Sequence, residues 1–75
     1  MKELLEILAK SLVDNPDAVK VNEITGEQSI ILELKVAPED MGKVIGKQGR
    51  IAKAIRTVVK AAAIKENKRV VVEII

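Results

Sequence analysis

Hydrophobic positions change their spacing along the chain, and these changes divide it into six predicted elements. Spacing of three or four residues is typical of a helix with one buried face, whereas strict alternation is typical of a half-buried strand. The predicted helices cover residues 2–13, 38–45 and 50–64, and the predicted strands cover residues 18–24, 29–36 and 69–75. The order is therefore helix, strand, strand, helix, helix, strand.

The first predicted helix is amphipathic. Its large apolar residues fall on one face, and they are Leu4, Leu5, Ile7, Leu8 and Leu12. Pro16 cannot continue a helix, and it disfavours the helical conformation at Asn15, so the helix should end before these residues. We expect this helix to pack on the core and to carry no functional group.

The first two strands predict an antiparallel hairpin that is covered on one side. Val19 and Val21 share one face of the first strand, and Gly26 lies in the short turn that follows. In the second strand, Ile30, Leu32, Leu34 and Val36 share a face, while Glu33 and Lys35 point the other way. The last strand alternates in the same way, with Val70, Val72 and Ile74 directed inward.

The two middle helices complete the predicted fold. Pro38 suits a first helical position, and the acidic Glu39 and Asp40 complement the helix dipole there. The long helix carries an apolar stripe and, beside it, a basic stripe. The apolar stripe is Ile51, Ile55, Val58, Val59 and Ala62, and the basic stripe is Lys53, Arg56 and Lys60. We expect one α+β domain over residues 1–75, in which helices cover one face of a three-stranded sheet.

Composition narrows the possible chemistry. The 75 residues include no aromatic side chain, no cysteine and no histidine. Cysteine thiolates and histidine are the usual nucleophile, general base and zinc ligands of small enzymes, and no G-x-x-x-x-G-K-[ST] phosphate loop is present. We therefore expect a binding protein rather than an enzyme, with no cofactor and no metal site.

The hydropathy of the chain indicates the cellular compartment in which the protein is expected. No apolar run approaches the ~18 residues that a membrane span requires, and no segment resembles a secretion signal. We expect a cytoplasmic protein.

Charge is distributed unevenly along the chain. Residues 1–40 contain four basic and nine acidic side chains, a balance of −5, whereas residues 41–75 contain nine basic and two acidic ones, a balance of +7. Together they give the net charge of +2. Segregation of this kind favours a polyanionic partner, although a solvated surface can also segregate by chance.

Two glycines, Gly46 and Gly49, lie between the two middle helices at the centre of the basic half. Between and beside them are Lys47, Gln48 and Arg50. Glycine lets the backbone approach a ligand closely, and the helix that follows directs its first N–H groups at the loop. The loop is thus a candidate anion site. The alternative is a tight turn whose glycines serve the turn alone.

The motif Val44-Ile45-Gly46-Lys47-Gln48-Gly49-Arg50, with the helix Ala54–Val59 after it and the predicted order of elements, resembles the K-homology (KH) domain of type II. The similarity covers almost the whole chain and is nearest to small bacterial proteins that consist of a single KH domain. In that family the G-x-x-G loop clamps the backbone of about four unpaired nucleotides, and the bases lie in an apolar groove.

The resemblance implies a set of RNA-contacting residues. These are Lys43, Val44, Ile45, Gly46, Lys47, Gln48, Gly49, Arg50, Ile51 and Lys53. Leu34 or Val36 is a further candidate for the groove lining. Ala52 departs from the family pattern, which often has a large aliphatic residue at this position. The basic side chains Lys65, Lys68 and Arg69 flank the expected ligand path, and stabilisation of the helix end also explains Lys65.

Two functions remain open at this point. The first is a binding module for single-stranded RNA, used as a chaperone or a post-transcriptional regulator. The second is a protein-interaction module with incidental nucleic-acid contact. Ile64 falls off the predicted apolar stripe, on the side of small residues. A homodimer surface formed by Ala54, Val58, Ala61 and Ile64 is therefore expected. The resemblance also implies a larger Jag-type KH protein as a partner.

Overall fold

The computed structural model describes residues 1–75, and its element order confirms the predicted one. The helices are α1 (Lys2–Leu12), α2 (Met41–Ile45) and α3 (Arg50–Lys65), and the strands are β1 (Lys20–Thr25), β2 (Ser29–Lys35) and β3 (Arg69–Ile74). Single 3₁₀ turns at Pro16–Ala18 and Pro38–Asp40 precede β1 and α2. No helix in the structure has both the length and the apolar character needed to cross a membrane.

The three strands form one mixed sheet in the order β1-β2-β3. β1 and β2 pair antiparallel from Lys20↔Lys35 to Thr25↔Ile30, which confirms the predicted hairpin. β3 pairs parallel to β2, from Ser29↔Arg69 to Leu34↔Ile74. Parallel neighbours require a crossover connection, and α2 and α3 provide it. β3 is consequently an edge strand with one side open.

All three helices lie on one face of this sheet, as expected. Between the layers is a core of 15 buried residues drawn from Val, Leu, Ile and Ala. The inward positions of β2 and β3 were predicted correctly: Ile30, Leu32, Leu34, Val70 and Val72 are all buried. The opposite face of the sheet is open to solvent, and Ile24, Ile31 and Val71 pair in a row across it.

Two predicted helix faces are wrong in part. In α1 the fully buried residues are Leu5 and Ala9, whereas Ile7 and Leu12 are exposed. In α3 the buried stripe is Ala52, Ile55, Val59 and Ala63. It shares Ile55 and Val59 with the predicted stripe, whereas the predicted Val58 is exposed. Alanines face the sheet because their small side chains let the helix backbone approach it closely. A prediction based on the positions of large apolar residues does not reveal this preference.

The helix predicted over residues 38–45 is confirmed in its bounds, but it is not α-helical throughout. Its first turn is 3₁₀, and the α-helical part is only five residues long. Asp40 lies at the junction and is 1% exposed. Its carboxylate accepts hydrogen bonds from the backbone N–H groups of Asp14 and Asn15, at 3.3 and 3.0 Å. Asp40 therefore ties the chain after α1 to the start of α2 instead of merely complementing a helix dipole.

Candidate nucleic-acid interface

The G-x-x-G loop is a tight turn between α2 and α3. The N–H of Gly46 donates to the carbonyl of Gly42 at 2.8 Å, which closes α2, and the N–H of Gly49 donates to the carbonyl of Gly46 at 3.2 Å. Gly46 has φ 76° and ψ 175°, and Gly49 has φ 73° and ψ 14°. Glycine is the residue that adopts both conformations without strain. The turn places the first residue of α3, Arg50, directly after Gly49.

The tip of this loop is exposed and carries positive charge. Lys47, Gln48 and Arg50 are all exposed. Both ion pairs in the structure involve Lys43, so Lys47 and Arg50 have no acidic partner. The hydrogen bonds that connect the loop to α2 do not use the N–H groups of Lys47 and Gln48. The loop therefore presents backbone donors, two cations and the positive end of the 16-residue α3 to solvent.

Lys43 differs from these cations because it is already paired. Its ammonium donates a hydrogen bond to the Asp14 carboxylate and lies 3.6 Å from Asp40. The hydrogen bond to Asp14 raises the pKa of Lys43, with a further contribution from the negative charges of Asp14 and Asp40, and it outweighs the opposing effect of desolvation. Lys43 is thus a brace between α2 and the segment after α1. Contact with a phosphate would compete with this brace.

Among the predicted groove residues, the structure separates the exposed from the buried. Ile45 is 38% exposed and Ile51 is half-buried at the first turn of α3, so both offer apolar surface beside the loop. Val44, Leu34 and Val36 lie in the core. Val44 and Leu34 have no exposed surface, which corrects the expectation that their side chains contact a ligand.

A groove of about 580 Å³ lies between α3 and the open edge of β3. Its lining consists of Arg56, Lys60, Ala63, Ile64, Lys68, Arg69, Val70, Val71 and Val72. The Nε–H of Arg56 donates to the carbonyl of Val72 at 3.3 Å and so connects helix and strand. From the basic stripe, Arg56 and Lys60 line the groove and Lys53 lies exposed one turn nearer the loop.

The strand wall of the groove has free backbone groups. The N–H groups of Arg69 and Ile75 bond inward, to the carbonyls of Gln28 and Leu34. Because the direction of the backbone groups alternates along a strand, Val70, Val72 and Ile74 direct their N–H and C=O groups to the open side. The Val72 carbonyl already accepts the hydrogen bond from Arg56 and is not free. Sequence reasoning missed this wall, since no local pattern shows which strand lies at the edge of a sheet.

The predicted dimer surface is also exposed. Ala54, Val58, Ala61 and Ile64 lie on the outer side of α3, and Val58 and Ile64 are 45% and 75% exposed. Ile64 additionally lines the groove. It therefore belongs to two candidate surfaces.

Comparison with known proteins agrees with this architecture. A family model described as "KhpA/KhpB, KH domain" matches residues 2–74. The chain belongs to this KH-domain family. Among curated KhpA proteins, the chain is 87% identical to the RNA-binding protein KhpA of Clostridium acetobutylicum and 85% identical to that of Clostridium perfringens, over the full length of both. It is 55% identical to the RNA-binding protein KhpA of Aquifex aeolicus, over all of this chain and 95% of that protein.

The KH fold also recurs in a distant solved structure. The crystal structure of Era in complex with MgGDPNP and nucleotides 1506–1542 of 16S ribosomal RNA superimposes with a TM-score of 0.63. The match covers 97% of this chain but 28% of the Era chain, at 21% identity, and it shows a shared fold alone. The resemblance to the KH-domain family that the sequence predicted is confirmed by the KhpA/KhpB match.

Proposed function

We propose that this chain binds single-stranded RNA and that its G-x-x-G loop clamps the sugar–phosphate backbone. The observation that carries the proposal is the exposed turn at Gly46–Gly49, which combines unpaired cations with backbone donors at the start of α3. The choice of RNA rests on the KhpA relatives, which are named RNA-binding proteins.

The mechanism follows from the chemistry of the loop and the groove. A phosphate at the loop accepts hydrogen bonds from main-chain N–H groups and is attracted by Lys47 and Arg50. The bases then face the aliphatic side chains of Ile45 and Ile51 and the end of the groove nearest the loop, where Arg56 contacts Val72. Without an aromatic side chain the protein has no stacking platform, which in other single-strand binders contributes ~1–3 kcal/mol per base. Binding should therefore be modest, salt-dependent and weakly sequence-selective, as suits a chaperone or a general post-transcriptional regulator.

The double substitution Lys47→Asp/Gln48→Asp tests the clamp. Both residues are exposed, so the fold should persist, while two carboxylates at the tip repel phosphate. We expect at least a tenfold loss of affinity for a labelled, unstructured RNA in fluorescence anisotropy, since charge-assisted hydrogen bonds contribute ~1.5–3 kcal/mol each.

A control variant carries the same change of charge away from the loop. Lys2→Asp/Ser11→Asp alters two exposed positions of α1 by the same total, −2 for the lysine and −1 for the neutral residue. Its affinity should stay close to that of the unmodified protein. Equal binding by the loop variant and the unmodified protein would refute the clamp.

A second candidate function, a dimerisation or protein-docking module, is favoured by the exposed apolar stripe on α3. We propose that Ala54, Val58 and Ala61 form a homodimer contact in which the small alanines allow close approach. A larger Jag-type KH partner would bind the same stripe. Sedimentation velocity should show a dimer for the unmodified protein and a monomer for Val58→Asp. If the unmodified protein sediments as a monomer at high micromolar concentration, the homodimer is excluded.

A further inference from the structure

We infer that the RNA strand has a second contact site at the far end of the groove from the loop. This polar hollow, of about 440 Å³, lies where the β1–β2 turn meets the α3–β3 turn. Its polar lining residues are Gln28, Ser29, Asn67, Lys68 and Arg69. The inference rests on the proposed function, because it concerns further nucleotides of the same strand.

The hollow continues the groove. Ile64, Lys68 and Arg69 line both of them, so the hollow and the groove are neighbouring parts of one surface. Ile64 is the only apolar residue that lines the hollow, whereas the groove is largely aliphatic. The surface thus changes along its length from one that suits bases to one that suits phosphate and ribose hydroxyl groups.

The side chains of the hollow match a ribonucleotide backbone. Lys68 and Arg69 supply positive charge for a phosphate, and neither forms an ion pair. The amides of Gln28 and Asn67 and the hydroxyl of Ser29 can donate to and accept from a 2′-hydroxyl group. The acidic residues of the same two turns, Glu27 and Glu66, are exposed and do not line the hollow.

The floor of the hollow is held by backbone hydrogen bonds. The N–H of Arg69 donates to the carbonyl of Gln28 at 3.0 Å and so joins the two turns. The N–H of Lys68 donates to the carbonyl of Ala63, also at 3.0 Å, and Asn67 adopts the left-handed conformation with φ 58°. These hydrogen bonds terminate α3 and fix the backbone at Lys68 and Arg69, which sets the directions of the two side chains.

Distance along α3 separates this site from the clamp. The loop precedes Arg50 and the hollow follows Lys65, so the 16-residue helix between them spans ~24 Å at 1.5 Å per residue. Four nucleotides are joined by three steps, which cover ~10 Å at the ~3.4 Å spacing of a stacked strand and ~20 Å when the strand is roughly twice as extended. Nucleotides beyond those held by the clamp are therefore the ones that reach the hollow, and affinity should depend on RNA length.

Titration of the ¹⁵N-labelled protein with unstructured RNAs of about four and about ten nucleotides tests this inference by NMR. Only the longer RNA should shift the amide signals of Asn67, Lys68 and Arg69, while both should shift Gly46–Gly49. The variant Lys68→Gln/Arg69→Gln should bind the longer RNA about tenfold more weakly, whereas its affinity for the shorter RNA should stay within about twofold. The matched control Lys2→Gln/Lys10→Gln removes the same charge from α1 and should change neither.

A longer RNA can bind in several alignments, which raises its apparent affinity even without a second site. The salt dependence of binding does not change with the number of alignments, so it provides an independent test. If two more phosphates are neutralised, the slope of log K against log salt should be steeper by ~1.4 for the longer RNA, at ~0.7 per phosphate. The variant Lys68→Gln/Arg69→Gln should lose that difference.

The possible outcomes separate this inference from the proposed function. Failure of both RNAs to bind the unmodified protein refutes the proposed function and the second site with it. Binding of both with equal salt slopes, or equal weakening of both by Lys68→Gln/Arg69→Gln, overturns the second site alone. An acidic peptide is a further probe. If it shifts the signals of Lys68 and Arg69 and neither RNA does, the hollow binds a protein partner and the second RNA site is also overturned.

Discussion

A Cβ atom on Gly46 would lie 2.5 Å from Cγ1 of Ile51 and 2.9 Å from its Cβ. Ile51 occupies the first turn of α3 and packs against the core, so it cannot easily move away. Gly46 also adopts φ 76° and ψ 175°, a region that is almost exclusive to glycine. Around Gly49, by contrast, an added Cβ would meet nothing within 4 Å. The two glycines of the loop are therefore required for different reasons, the first for space and backbone conformation, the second for conformation only.

Gly46→Ala should consequently destabilise the protein more than Gly49→Ala. Each substitution imposes strain of ~1–3 kcal/mol from its positive φ, and Gly46→Ala adds the cost of overpacking, typically ~1–3 kcal/mol. Urea unfolding followed by circular dichroism gives both free energies of unfolding. In the background of Ile51→Ala the excess cost at position 46 should fall but not vanish, because alanine removes Cγ1 and Cδ1 and keeps the Cβ atom at 2.9 Å. Equal costs for the two glycines, with or without Ile51, would contradict this explanation.

The sequence was sufficient to predict those features that depend on local pattern. The alternation Ile30-Leu32-Leu34 showed the inward face of β2, and the spacing of Gly46 and Gly49 between apolar flanks indicated an exposed turn. The predicted helix faces failed where packing prefers small residues, as Ala52 is buried and Val58 is exposed. Hydropathy ranks valine above alanine and contains no information on how close a helix lies to a sheet.

Features that depend on distant parts of the chain could not be predicted. Asp40 bonds to residues that are 25 and 26 positions away, and the hollow joins turns at Gln28 and Asn67. The open edge of β3 follows from its parallel pairing with β2, which only the crossover through α2 and α3 establishes. The glycine loop could be predicted because its residues are consecutive, whereas the groove lining along β3 could not.

Asp40→Asn should destabilise the fold. An amide can offer one oxygen where the carboxylate offers two, so the N–H of Asp14 or Asn15 loses its acceptor in a partly buried place. An unsatisfied buried donor costs ~1–3 kcal/mol, which should appear as a lower midpoint of urea unfolding. The neighbouring Glu39 is exposed, and Glu39→Gln should change stability by less than ~0.5 kcal/mol. Similar effects of the two variants would mean that Asp40 does not brace the segment after α1.

The brace formed by Lys43 should depend on pH in the alkaline range. The hydrogen bond to Asp14 raises the pKa of Lys43 above its usual value of about 10.5, so the folded protein binds this proton more tightly than the unfolded chain does. The resulting stabilisation is fully present below pH ~10.5 and is lost as the pH rises through the pKa of the folded state. The difference in unfolding midpoint between the unmodified protein and Lys43→Gln should be constant from neutral pH to pH ~9 and shrink above pH ~10.5. A difference that grows with pH would have the wrong sign.

Gly42→Ala should stabilise the protein. Gly42 lies within α2, it is exposed, its φ is not positive, and an added Cβ would meet nothing within 4 Å. Alanine in place of glycine at such a helical position is worth ~0.5–1 kcal/mol, largely because it restricts the unfolded chain. The free energy of urea unfolding should rise by that amount. RNA affinity should stay within about twofold, because Gly42 precedes the loop by one helical turn and its carbonyl still closes α2 onto Gly46. A variant that is more stable yet binds RNA distinctly more weakly would show that the strand passes directly over α2, and the clamp would then have to extend beyond Gly46–Gly49.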